Sequence, residues 1–179
     1  MHPMTNNLRM EIKLAIKNRQ DISNLIRDVE IKGEDLSYAI IEDFTRIKSN
    51  MSRTKFCNSI IGKKGKVTNI SDSIMRECNF GDVIFIGTVF MRRCDCTGSD
   101  FSGADCRDVQ YQNSIMINCK FCETNLRLGT AYGMGAIFDT NFFADLEKGW
   151  NVKIVLLEEY NKLIEELNIL RDKCNKDNI

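Results

Sequence analysis

Three groups of residues in this 179-residue chain have types and spacings that could do chemistry. The first is cysteine. There are eight, and Cys94-Asp95-Cys96 and Cys119-Lys120-Phe121-Cys122 read along the chain as two pairs of thiolate ligands for a tetrahedral zinc ion. The second is the carboxylate series Asp95, Asp100 and Asp105. The third is Gly62-Lys63-Lys64-Gly65-Lys66-Val67, whose lysines could contact phosphate or an acidic partner. A general base is missing: the one histidine is His2, so no Ser/His/Asp or Cys/His arrangement can be assembled. Gly129, Gly133 and Gly135 do not follow the G-x-G-x-x-G order of a dinucleotide loop.

Whether those groups converge depends on the elements that carry them, and the central stretch has an unusual period. From Thr68 to Leu126 a large apolar or soft residue recurs every fifth position, with a small residue two places before it. The centres are Ile70, Met75, Phe80, Phe85 and Phe90, preceded by Thr68, Ser73, Cys78, Val83 and Thr88. After one extra residue, placed near Met91 to Arg93, they become Cys96, Phe101, Cys106, Tyr111, Met116, Phe121 and Leu126. A period of five fits neither an alternating strand nor a helical face. If each unit makes one side of a square, four units close a coil of about twenty residues, and successive coils pair as in a parallel sheet.

The unit resembles the pentapeptide repeat, whose ideal form is Ala-Asp/Asn-Leu-x-x. The nearest matches are Ala104-Asp105-Cys106, Thr124-Asn125-Leu126 and Ala144-Asp145-Leu146, and the resemblance spans Leu36 to Leu146. It implies an all-β solenoid, a right-handed quadrilateral parallel β-helix. The expected core ladder includes Phe80, Phe85, Phe90, Phe101, Phe121 and Leu126. Phe80, Phe101, Phe121 and Phe142 stack in one column, Phe85, Cys106, Leu126 and Leu146 in a second, and Met75, Cys96, Met116 and Ala136 in a third. This register turns Cys94, Cys96 and Cys119 inward and Cys122 outward, so their sulfurs do not meet. It also spreads Asp95, Asp100 and Asp105 over successive sides. No catalytic, cofactor or metal site is therefore expected, and the cysteines read as small, soft core filler.

Three segments follow. Residues 1–32 carry Leu8, Ile12, Ala15 and Ile16, then Ile22, Leu25, Ile26 and Val29 after Asp21, at helical spacing. One or two short helices over residues 6–30, with Asp21 as an N-cap, should cover the open end of the solenoid or bind a partner. Residues 33–147 form about five coils. Their early part is recognisable in Ala39-Ile41, Thr54-Phe56 and Ser59-Ile61, although Arg46 and Lys48 fit an interior poorly. Residues 62–67 should bulge out as a loop presenting Lys63, Lys64 and Lys66. Residues 148–179 show an apolar stripe at Leu156, Tyr160, Leu163, Leu167 and Leu170, with Glu158, Glu159, Glu165 and Glu166 outside it. That amphipathic helix must bury its stripe, against the last coil or against a twin in a homodimer.

Function is then a matter of surfaces. The same register places Ile84, Ile86 and Val89, and separately Ile74, Ile115 and Ile117, on the outside as candidate contact residues. Lys plus Arg equals Asp plus Glu at 25 each, which provides no global charge for nucleic acid or an anionic membrane. No apolar run approaches the roughly 20 residues of a membrane helix, and the N-terminus lacks a secretory apolar core. The expectation is a cytoplasmic, non-enzymatic interaction module, a homodimer, with an unknown protein partner. Resemblance alone implies an alternative: the Qnr and MfpA group looks like duplex DNA and acts on DNA gyrase. Charge separates the two, since residues 33–147 hold 15 acidic and 13 basic side chains, a net of −2, where a DNA mimic needs dense negative charge.

Overall fold

The computed structural model describes residues 1–46, 48–126 and 135–139. They form a parallel β-solenoid of about four turns with few helices. Helix α1 spans Asn6–Lys17; the Thr5 hydroxyl accepts the Leu8 N–H at 3.3 Å and so satisfies one of the free amides of the first turn. Its face sends Ile12 and Ala15 into the same core as the coils. The short α2, Ser23–Ile26, starts where the Asp21 carboxylate accepts the Ser23 amide at 2.9 Å. The same carboxylate accepts the Glu42 amide at 3.1 Å, joining α2 to the coil that follows.

Eight strands follow: β1 Ile40–Ile41, β2 Ile60–Asn69, β3 Ile84–Phe90, β4 Asp105–Cys106, β5 Val109–Gln110, β6 Ile115–Met116, β7 Asn125–Leu126 and β8 Ile137–Phe138. Every pairing is parallel, and four ladders climb the molecule. The first runs through Ile40, Ile60, Ile84, Asp105 and Asn125, and the second through Asn69, Phe90 and Gln110. The third links Asn50, Ile74, Asp95, Ile115 and Ile137. The fourth links Asp35, Lys55, Asn79, Asp100 and Lys120. Met51, Phe56, Ile70, Met75, Phe80, Cys96, Phe101, Tyr111, Met116 and Phe121 all lie buried behind these ladders. In one interior column Phe56, Phe80, Phe101 and Phe121 stack with ring centroids 5.2, 4.9 and 5.4 Å apart, adding aromatic contact to burial.

The corners explain why a small residue must precede each centre. Its hydroxyl or thiol donates to a carbonyl of the coil beneath: Thr54 to Ile31 at 2.7 Å, Ser99 to Met75 at 2.6 Å and Ser114 to Met91 at 2.7 Å. Cys78, Cys94 and Cys119 do the same to Met51, Ile70 and Cys96 at 2.9, 3.1 and 3.0 Å. The bond gives the carbonyls of Ile70, Met75 and Met91 a partner inside the bend, and adds a second donor to those of Ile31, Met51 and Cys96, which a backbone amide also reaches. Two residues after the centre the backbone turns left-handed, as at Arg53, Asn58, Asp72, Glu77, Asn118 and Glu123, where φ lies between 56° and 63°.

Four expectations are corrected. The extra residue lies within Ile86–Thr88, not at Met91–Arg93, because Gly62 pairs with Ile86 and Val67 with Thr88. Val89 is therefore fully buried and Phe90 faces outward, half-exposed beneath the Arg92 guanidinium at 4.0 Å. Phe138, not Ala136, stands over Met116, since two further residues enter before β8. Arg46 occupies a buried centre position, where its guanidinium donates to the Ile26 carbonyl and contacts Met1 Sδ at 3.1 Å. Burial pushes its pKa down, opposed by the nearby Asp28 carboxylate. Residues 62–67 are part of β2, bulging from its pairing with β3 and leaving Lys63 to Val67 exposed. Phe142, Ala144, Leu146 and the stripe from Leu156 to Leu170 lie outside the described residues.

Candidate functional site

The cysteine groups do not assemble a site. Cys94, Cys96 and Cys119 are buried and Cys122 is exposed. Burial pushes the Cys78 and Cys119 thiols up to about 12 and Cys94 to about 11, only partly opposed by backbone hydrogen bonds. Among the described residues no group of three or more His, Cys, Asp or Glu side chains could hold a metal ion. Asp95, Asp100 and Asp105 stand on three different ladders, paired with Arg76, Lys120 and Arg107 at 2.5, 3.4 and 2.6 Å.

The outward isoleucines form two separate strips. On the first ladder Ile40, Ile60 and Ile84 stack in direct parallel register, the lower two half-buried and Ile84 47% exposed. Ile86 extends this strip, while Val89 belongs to the interior. Ile40 and Ile60 join the outward residues that the sequence indicates. Their signal was the doublets Ile40-Ile41 and Ile60-Ile61, in which the second residue fills the core and the first must point out. On the third ladder Ile74 and Ile115 are 44% and 36% exposed on either side of Asp95, with Ile117 beside them and Ile137 above. Asp105 and Ile115 are ten positions apart in a coil of four ladders, which puts the two strips on opposite sides.

The lysine bulge belongs to the first strip. It leaves β2 directly after Ile60 and Ile61 and returns through Val67, itself 54% exposed. Gly87 makes the bulge possible: a Cβ there would stand 2.6 Å from the Lys63 carbonyl oxygen and 2.7 Å from that of Lys66, and its φ is +79°. Lys63 is paired with Glu42. Among the described residues Lys64 and Lys66 have no ion-pair partner. Beneath the bulge an open cleft of about 480 Å³ is lined by Asp21, Asn24, Arg27, Glu42, Lys63 and Lys66 among others. One side of the solenoid thus combines stacked isoleucines with projecting ammonium groups.

The family model described as pentapeptide repeats matches residues 91–127 in 8 copies. The chain contains pentapeptide repeats. Their ladders are those built from Met91 through Leu126 above. No curated protein sequence gives a match. Among solved structures, the chain is similar to the pentapeptide repeat protein Rfr23 from the cyanobacterium Cyanothece 51142, at 15% identity over 54% of this chain and 61% of that one, with a TM-score of 0.25. It is similar at 17% identity to a pentapeptide repeat protein of the Arabidopsis thaliana thylakoid lumen, over 60% and 59% of the two chains, TM-score 0.27. The match thus spans about three fifths of each of those chains. Full-length QnrB1, a plasmid-mediated fluoroquinolone resistance protein, is 14% identical over 70% of each chain, TM-score 0.35. No helix among the described residues is long and apolar enough to cross a membrane.

Proposed function

We propose that this pentapeptide repeat protein is a non-enzymatic interaction module of the cytoplasm, a rigid right-handed four-sided coil that offers its walls to a protein partner. Residues 1–32 cover one end of the coil and residues 148–179 join two copies into a homodimer. The observation that carries this reading is the wall formed by Ile40, Ile60 and Ile84 beside the lysine bulge. A solenoid already closed by internal ladders gains nothing in its own core from outward isoleucines, whereas a partner that buries them gains roughly 25 cal/mol per Å² of apolar area. The test is affinity capture with the full chain and its Ile84→Glu variant as baits. Partners retained by the first and lost by the second support the reading; identical captures overturn it.

Action on DNA gyrase ranks second, because outward charge along the fourth ladder alternates through Asp35, Lys55, Asn79, Asp100 and Lys120, with no line of carboxylates. Titrating the protein into a gyrase supercoiling reaction, with and without a fluoroquinolone, separates the two. Inhibition or drug protection at low micromolar protein would promote the gyrase reading over the present one.

A further inference from the structure

We propose that the Ile40–Ile60–Ile84 strip and the lysine bulge of one protomer receive the acidic amphipathic segment 148–179 of a second copy. The inference rests on the homodimer reading, and it makes a second copy of this chain the protein that buries the isoleucine wall. Charge complementarity favours this occupant. Between Val155 and Leu170 the segment holds four glutamates and one lysine. Glu159 and Glu166, seven apart, fall at one edge of the stripe made by Leu156, Tyr160, Leu163, Leu167 and Leu170. The strip offers the inverse: isoleucines in line, with Lys64 and Lys66 unpaired among the described residues and projecting beside them. Three acidic groups near the strip are already engaged, Glu42 by Lys63, Asp105 by Arg107, and Asp21 by the Ser23 and Glu42 amides, while Asp82 is exposed two residues before Ile84.

The isoleucine strip from Ile40 to Ile84 spans two ladder steps, about 10 Å, and the same wall continues through Asp105 to Asn125, four steps or about 19 Å in all. Fourteen residues at helical rise, the sequence separation of Leu156 and Leu170, would match that wall at about 21 Å. A pair of bare stripes packed on each other would leave both isoleucine strips in water and give those eight glutamates only the two copies of Lys162. Reciprocal seating in a two-fold dimer covers both strips with one association step and makes each contact twice.

The test uses the full chain. Copies labelled with ¹⁴N and ¹⁵N are mixed, treated with a zero-length carbodiimide that joins lysine to carboxylate, and mapped by mass spectrometry alongside sedimentation. The expected result is mixed-isotope links from Lys64 or Lys66 to Glu159 or Glu166. Ile84→Asp, at an exposed position, should weaken the dimer at least about tenfold while the far-UV signal and melting temperature hold. The double variant Lys64→Glu/Lys66→Glu should weaken it likewise, and adding Glu159→Lys/Glu166→Lys should restore it. Links confined to one isotope would place the segment on its own protomer and overturn the proposal. A dimer without these links, indifferent to Ile84→Asp, would overturn it while leaving the homodimer reading intact. A strict monomer at high micromolar concentration would remove both.

Discussion

At the residue scale, what a side chain does here depends on its place in the five-residue unit more than on its chemistry. Phe101 and Phe90 make the point. Phe101 lies buried in the aromatic column between Phe80 and Phe121. Phe90 is outside, under Arg92. Phe101→Ala should cost roughly 3–5 kcal/mol, and Phe90→Ala only about 1 kcal/mol, the worth of an exposed cation–π contact; denaturant unfolding of the two variants measures the difference. Equal losses would refute the placement of the extra residue at Gly87. The cysteines sort in the same way. Cys78, Cys94, Cys96, Cys106 and Cys119 are buried, and burial raises the thiol pKa of each. Cys122 is exposed and Cys57 half-buried. Among the described cysteines, iodoacetamide at pH 8 should alkylate Cys122 first and Cys57 next. Peptides with the five buried cysteines should react at least about a hundredfold more slowly until denaturant is added, since only thiolate attacks.

At the element scale, the ladders were legible in the sequence wherever the period stayed at five. Phe101 and Phe121 stack in the sequence because only whole repeats separate them, and Phe80 falls under Phe101 once one extra residue is counted between them, wherever it lies. The pattern becomes ambiguous where a residue is added. One inserted glycine leaves hydrophobicity almost unchanged, so Thr88-Phe90 and Val89-Met91 both look like a small residue before a large one. What decides between them is a backbone contact 2.6 Å from the Gly87 Cβ position, which composition does not encode. Arg46 fits an interior poorly in the sequence because propensity assigns a cation outward, while the neighbouring carbonyl of Ile26 holds it in. The strip was half legible: Ile84 and Ile86 were assigned outward, but the bulge that brings lysines to it could be placed only once β2 and β3 were paired. Two opposite glycine exchanges test this account by thermal unfolding. Gly87→Ala should destabilise by at least about 2 kcal/mol, from clash and a left-handed backbone together. Glu123→Gly, at a corner with φ of 57°, should stabilise by up to about 1 kcal/mol, by relieving left-handed strain of about 1–2 kcal/mol against the entropy glycine adds to the unfolded chain.

At the scale of the whole molecule, one contact repeats up the walls and ties stability to pH. A side-chain oxygen at the first outward position accepts the amide two residues on: Asn50 from Ser52 at 3.1 Å, Asn79 from Gly81 at 2.8 Å, Asp95 from Thr97 at 3.1 Å and Asp100 from Ser102 at 2.9 Å. Where the residue is aspartate, the bond carries charge. Burial pushes Asp21, Asp95 and Asp100 up, but hydrogen bonds and neighbouring cations together outweigh it and hold them below the ordinary value. Ser37, Arg93 and Arg107 are the leading causes that lower Asp35, Asp72 and Asp105. A carboxylate whose folded pKa is depressed contributes stability in full above its unfolded value of about 3.9, and that contribution is lost as pH falls through the folded value. The melting temperature should therefore be flat from about pH 7 to 5 and fall steeply below about pH 4. Asn50 and Asn79 make the same bond without charge, which supplies the decisive control. Asp95→Asn/Asp100→Asn should keep the coil and its circular dichroism, lose some stability at neutral pH with the Arg76 and Lys120 pairs, and show a shallower acid slope. An unchanged slope would mean that the acid sensitivity arises elsewhere than in the repeated turns.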